Sequence, residues 1–227
     1  MTPAIRLAVD AVVFGYAEQR LHLLLIRRNI EPFEGEWALP GGQVLYDESL
    51  EAAVERELQE ETGIRINYLE QLYTFGQPGR DPRNRVVSVT YFALVNPNQF
   101  DLAAATDAAD ARWFPCEKLP ALAFDHTHIV EYALKRLRAK LSYEPIGLNL
   151  LERDFLFSDL EKLYESILGR TIDRRNFRKK FLSFGILSET SIRHSGHKGR
   201  PGALFRFDVE KYSALKETGF LFDIRPM

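Results

Sequence analysis

Three glutamates, Glu57, Glu60 and Glu61, stand at i, i+3 and i+4, a spacing that puts their carboxylates on one face of a helix. Like charges so placed repel one another unless a cation binds among them. Three hard oxygen donors suit Mg²⁺ or Mn²⁺, with a substrate phosphate and water completing the shell. Glu48 lies one turn earlier and can fold back toward the same face. Arg56 can pair with one of these carboxylates and keep it ionised. A solvated acidic helix face is the plain alternative.

Two further groups of residues invite chemistry. In the turn Gly76–Arg85 (GQPGRDPRNR), Arg80, Arg83 and Arg85 could hold a pyrophosphate bidentately, with a solvated loop as the alternative. Arg174, Arg175, Arg178 and Lys179 fall on the outward face of a second expected helix, and Arg193, Lys198 and Arg200 belong to a basic Gly-rich tip further on. Outward Arg and Lys on a helix can contact DNA phosphates or guanine edges, and a basic tip can reach the backbone or the minor groove. A solvated basic face on a protein-interaction module is the alternative there. His126 and His128 form an H-x-H pair, a metal pattern for which a helix-start or surface role is the commoner reading. Cys116, beside Pro115, has no catalytic neighbour and is assigned to packing.

The elements that must position these groups can be read from periodicity and punctuation. Ile5–Phe14 and Leu21–Ile26 read as a hairpin with Gly15–Glu18 as its turn. Gly35–Gly42 (GEWALPGG) is a loop with an extended piece at Trp37–Leu39. Leu50, Ala53, Val54 and Leu58 predict a helix over Ser49–Thr62, stopped by Gly63. Strands are expected at Tyr68–Phe75, Val86–Val95 and Trp113–Phe114, then an amphipathic helix over His128–Leu141. Ser142–Gly147 (SYEPIG) reads as a linker. Beyond it, Ser158–Glu161 (SDLE) is a capping box that starts a helix at about Asp159. A second helix, capped by Thr171, starts near Ile172 and turns Ile172, Phe177, Phe181 and Phe184 inward. Strands at Ile186–Ile192 and Ala203–Phe207 flank the basic tip, which makes helix, turn, basic helix and wing. Two domains are therefore expected, residues 1–143 and 144–227, in an α+β chain.

Charge divides along the same line. The 227-residue chain is almost balanced at −2, yet residues 1–145 carry a net −6 and residues 146–227 a net +4, with +8 between Arg170 and Arg206. A single cysteine excludes an intramolecular disulfide framework and Cys-rich zinc sites, and suits a reducing cytoplasm. No apolar run approaches the roughly 18 residues a membrane span needs, and Asp10 interrupts the apolar N-terminal stretch, so no signal peptide is expected.

The run Gly42, five residues, Glu48, seven residues, Arg56-Glu57-Leu58, one residue, Glu60-Glu61, one residue, Gly63-Ile64 resembles the Nudix box in every constrained position. That resemblance implies an α/β/α sandwich that hydrolyses nucleoside diphosphates linked to another moiety. Glu57, Glu60 and Glu61 would be metal ligands, Glu48 a further ligand or base, and Arg56 a pairing residue, without singling out the general base. Gly42 would join Arg80, Arg83 and Arg85 in binding the ligand. Asp81-Pro82-Arg83-x-Arg85 leading into Val87-Ser88-Val89-x-Tyr91, and the Lys198–Phe207 run (KGRPGALFRF), resemble Nudix-related transcriptional regulators of NAD metabolism. In that family a Nudix domain precedes a winged helix. The resemblance implies a homodimer on a double-stranded DNA operator that answers to ADP-ribose or a related nucleotide-sugar. Many such regulators carry an eroded Nudix box, whereas this one is intact, so a metal-dependent ADP-ribose pyrophosphatase with an accessory basic domain is the second reading.

Overall fold

The computed structural model describes residues 4–66, 68–99, 110–194 and 202–224, which fall into two compact units. One takes in the residues up to Ala17 and Leu21–Arg136, the other Glu18–Arg20 and the residues from Leu137 on.

In the first unit the strands are β1 (Arg6–Ala17), β2 (Arg20–Arg27), β3 (Trp37–Ala38), β4 (Gly41–Gln43), β5 (Leu69–Phe75), β6 (Val86–Val95) and β7 (Asp110–Pro115). They form one mixed sheet in the order β3-β2-β1-β6-β5, with β4 added to β1 and β7 to β2. β1 and β6 run parallel, Asp10 beside Thr90 and Val9 beside Val89. Helix α1 (Leu50–Thr62) covers one face, where Ala53, Val54 and Leu58 pack with Val9, Ala11, Val13, Val89, Tyr91 and Ala93. Helix α2 (His126–Lys140) lies on the other, its Tyr132 against Tyr73 and Phe75, which stand opposite Thr90 and Ser88 on β6. Val9 to Phe14 of β1 are all buried, as a strand covered on both faces must be. The sandwich matches the expected architecture. Its first turn does not fall where Gly15 suggested, because β1 continues to Ala17 and the chain reverses at Glu18 and Gln19, both with positive φ.

The second unit is built around aromatic rings. Helix α3 (Phe157–Leu168), helix α4 (Arg174–Ser183) and a three-stranded sheet of β8 (Phe155–Leu156), β10 (Gly202–Phe207) and β9 (Leu187–His194) enclose Phe157, Tyr164, Phe177, Phe181 and Phe205. Tyr164 and Phe177 meet at 4.9 Å and Phe177 and Phe181 at 5.5 Å, contacts that stabilise a small core beyond the area they bury. Helix α5 (Val209–Glu217), capped by Asp208, follows, and Phe222 returns against Phe181 and Phe184.

Several local expectations are corrected here. The expected linker Ser142–Gly147 runs at its end into a 3₁₀ turn, Ile146–Leu150, in which Ile146, Leu148 and Leu150 are buried. Helix α3 begins at Phe157, two residues before the expected start, and it is the Asp159 carboxylate that accepts from the Leu156 N–H at 3.3 Å. Helix α4 is capped by Asp173, which accepts from the Asn176 N–H, and not by Thr171. Among the described residues no helix is long and apolar enough to cross a membrane.

Candidate functional site

Helix α1 is placed by its caps and its apolar flank. Ser49 accepts from the Ala52 N–H at 3.1 Å, and Gly63 closes the far end at φ 72°. With Ala53, Val54 and Leu58 on the sheet, the Glu57 and Glu61 side chains border a cavity of about 320 Å³ whose wall also includes Asp10, Arg28, Gly41, Gly42, Arg80 and His126. The Glu61 carboxylate accepts the Gly41 N–H at 2.9 Å. Burial, reinforced by Glu57 and Asp10, pushes Glu61 up to about 8, and burial raises Glu57 as well, against the pull of Arg56. Two desolvated carboxylates facing one space are a donor set that a hard divalent cation would satisfy.

Arg56 organises the remaining acids. Its guanidinium spans both oxygens of Glu48, at 2.8 and 3.0 Å, and donates to Glu57 at 2.9 Å and Glu60 at 3.2 Å. Glu48 therefore does fold back, onto Arg56, whose hydrogen bonds with help from the Leu45 N–H hold it down at about 2. Glu60 departs from the expected trio, since its side chain is half exposed, turned to Arg56, and absent from the cavity wall. Among the described residues no three His, Cys, Asp or Glu side chains are gathered into a ready metal cage.

Two glycines set the approach of the loop to these acids. A Cβ on Gly42 would land on the Glu57 carboxylate, and one on Gly41, at φ 154°, would strike the Val9 carbonyl and the backbone of Asp10. Gly42→Ala should therefore displace Glu57 and abolish any cation-dependent activity while the melting temperature stays near that of the parent. Gly41→Ala should lower the melting temperature itself. Thermal melts alongside activity assays on both variants check this, and a fully active Gly42→Ala protein would contradict it.

The arginines of the Gly76–Arg85 turn are less free than expected. Arg80 is buried and bidentate to Asp125, at 3.0 and 2.8 Å, and also donates to Asp10 at 3.1 Å. Ser88 donates to the same Asp10 oxygen at 2.6 Å. Arg83 is bidentate to Asp81, and Arg85 donates to the Val86 carbonyl and lies off the cavity wall. His126 is buried and its Nδ1 accepts the Leu39 N–H at 2.9 Å, so the ring's proton sits on Nε2, 3.7 Å from Asp10. Burial pushes its pKa down and keeps it neutral. His128 is exposed, its ring edge-on to Phe75, so the two histidines share no site. Sequence reasoning missed Asp10 and Arg28 as cavity residues, and Asp125 as the partner that ties down Arg80. For Asp10 the signal was present: a lone acid inside an apolar strand must find a partner to be buried.

On α4 the residues Arg174, Arg175, Arg178 and Lys179 are all exposed, as expected. Arg174 lies 3.7 Å from Glu165, and the Arg178 guanidinium sits over the rings of Phe157 and Phe205, at 4.4 and 5.4 Å. Among the described residues Arg175 and Lys179 have neither an ion pair nor a ring beneath them. Arg193 is on β9, and Lys198 and Arg200 lie outside the described residues.

Comparison with known proteins follows the two units. Residues 4–135 match the NUDIX domain and residues 147–207 the NrtR DNA-binding winged helix domain. The chain is 35% identical, over 92% of its own length and 85% of the relative's, to the ADPR responsive transcriptional repressor NtrR of Acinetobacter baylyi. It is 40% identical to the ADP-ribose pyrophosphatase of Methanocaldococcus jannaschii, over 55% of this chain and 70% of that one. The crystal structure of Shewanella oneidensis NrtR complexed with a 27mer DNA superposes with a TM-score of 0.80 at 36% identity, covering 91% of this chain and 95% of the other.

Proposed function

The chain belongs to the NrtR family, a Nudix domain joined to a winged-helix DNA-binding domain, and from that premise we propose that it is an ADP-ribose-responsive transcriptional repressor. The observation that carries this reading is the presence in one chain of a cavity walled by Glu57 and Glu61 and of an exposed basic α4 in a winged helix. Arg175 and Lys179 would meet the DNA, with Arg174, Arg193, Lys198 and Arg200 adding backbone contacts. One small winged helix makes few phosphate contacts, so a homodimer on a two-fold operator is the assembly we infer.

A duplex from the region upstream of the protein's own gene tests the proposal. Fluorescence anisotropy should show binding that ADP-ribose weakens, and an affinity indifferent to ADP-ribose would overturn it. Each phosphate contact contributes about 0.9 to the slope of log affinity against log salt. Arg175→Ala and Lys179→Ala should each weaken binding and flatten that slope by about one. Arg178→Ala, which removes a guanidinium resting on two rings, should weaken binding through the position of α4 with little change in slope.

A second reading is favoured by the intact acidic site: the same cavity would cleave ADP-ribose to AMP and ribose 5-phosphate and so clear its own signal. Glu57 and Glu61 fit a divalent cation, Mg²⁺ or Mn²⁺, with Glu60 a further carboxylate of α1 that also meets Arg56. When bound, the cation would supply positive charge to the diphosphate. Arg56 holds Glu48 ionised and orients both Glu48 and Glu57, and the Gly41 N–H fixes one oxygen of Glu61, while burial desolvates Glu57 and Glu61.

A further inference from the structure

Two polar atoms on the cavity wall lie close together without a hydrogen bond to any described residue, one an acceptor and one a donor. The acceptor is on β1. Of the two Asp10 carboxylate oxygens, Oδ2 accepts from Arg80 at 3.1 Å and from Ser88 at 2.6 Å, while Oδ1 accepts from neither. The donor opens α2. His126 turns Nδ1 to the Leu39 N–H, so Nε2 carries the proton, and Asp10 Oδ1 lies 3.7 Å from it, beyond hydrogen-bond reach. Both side chains border the cavity, and only 5% of the histidine and 10% of the aspartate side-chain surface is exposed.

Neither group is free to turn away. The carboxylate is held through its other oxygen by Arg80, which is itself anchored on Asp125. The imidazole is held by the Leu39 N–H and rests against the Phe124 ring at 5.3 Å. Burial keeps it neutral, so Nδ1 stays an acceptor. A buried donor and a buried acceptor without partners are costly, so the pair is matched to a ligand group that completes both. A phosphate oxygen does not qualify, because it would meet the Asp10 carboxylate, whose charge already reaches Glu61. An amine would set donor against donor at His126. An alcohol satisfies both atoms with one oxygen, accepting from Nε2 and donating to Oδ1.

We propose that Asp10 and His126 together recognise a sugar hydroxyl of the ligand. This rests on the nucleotide-sugar reading of the cavity given above, and it gives that reading a determinant of specificity separate from the acids of α1. A site built to hydrogen-bond a hydroxyl rejects the analogue that lacks it, by roughly 10⁴-fold or more in the strongest cases, because the site's own polar groups are then left unpaired.

Calorimetry on the full chain in EDTA, with ADP-ribose, ADP and 2′,3′-dideoxy-ADP as probes, tests the assignment. In the parent, a hydroxyl of the second sugar would make ADP-ribose bind about tenfold or more tighter than ADP, and a hydroxyl of the nucleoside would make ADP exceed its dideoxy analogue by as much. Equal affinity for all three would leave the pair to solvent and overturn the proposal. His126→Asn puts an amide oxygen near the place of Nδ1, keeping an acceptor for Leu39 and removing the Nε2 donor. It should erase the parent's preference by weakening only the hydroxyl-bearing ligand, with a melting temperature near that of the parent. His126→Gln instead puts an amide nitrogen near the place of Nε2, and should keep most of the preference while melting lower. A preference that survives in His126→Asn, or a loss equal on all three probes, would overturn the role of the pair while leaving the ligand reading standing. The comparison in the parent serves as the test if neither variant folds. A parent chain that binds none of the probes would reject the nucleotide-sugar reading and the hydroxyl site with it.

Discussion

Replacing Glu61 with glutamine is expected to cut the proposed cation-dependent cleavage of ADP-ribose by on the order of 10²-fold or more, with the fold intact. Glutamine is nearly isosteric, and its carbonyl oxygen can still accept the Gly41 N–H that Glu61 accepts now. A neutral side chain suits a position where burial, Glu57 and Asp10 already oppose a negative charge. What disappears is the anionic oxygen a divalent cation would use. Release of AMP at saturating Mg²⁺ measures the effect, with the exposed Glu55→Gln on the same helix as control. Because turnover would clear the signal, ADP-ribose should keep the Glu61→Gln protein off its DNA for longer than the parent. A variant that turns over within twofold of the parent would remove Glu61 from the cation site.

The second large effect concerns the other unit. Phe181→Ala should cost about 3–5 kcal/mol, comparable with the entire stability of a unit this small. Phe181 is fully buried, and its ring meets Phe157, Tyr164, Phe177, Phe184 and Phe222. Its neighbour Leu182 is 37% exposed, and Leu182→Ala should cost far less. Urea titrations followed by fluorescence would separate the two variants. DNA binding should fail in Phe181→Ala, while ADP-ribose still binds the cavity of the first unit. Retained operator affinity in Phe181→Ala would show that the second unit survives the loss of this ring and would overturn the prediction.

How much of this could be read from residues alone depends on whether the determinant is local. Helix α1 was legible because its cap, its apolar spacing and its terminal glycine all lie within the segment they define. Glu57 and Glu61 were legible for the same reason. The divergence of Glu60 was not, since helical spacing alone puts all three acids together, and only the seating of Gly41 and Gly42 beside α1 decides which of them border the cavity. Arg80 looked free because its partners are 45 and 70 residues away. The two-residue strand β8 is too short to show a period and exists by pairing with β10. Helix α5 has no buried residue and therefore no apolar stripe to betray it. The turn at Glu18 and Gln19 carries neither glycine nor asparagine, and the pairing of the long strands on either side outweighs local preference there.

The tripeptide Leu39-Pro40-Gly41 shows how the cavity floor can be closed off. Its first amide hydrogen goes to His126 and its third to Glu61, while the middle carbonyl accepts from the Ala11 N–H. The residue between the two amides is proline, which has no amide hydrogen to place. No donor on this stretch of backbone is left over, so none of its N–H groups needs solvent to complete its hydrogen bonding. Water that enters the cavity is therefore not drawn to these amides and is available to the ligand and its cation.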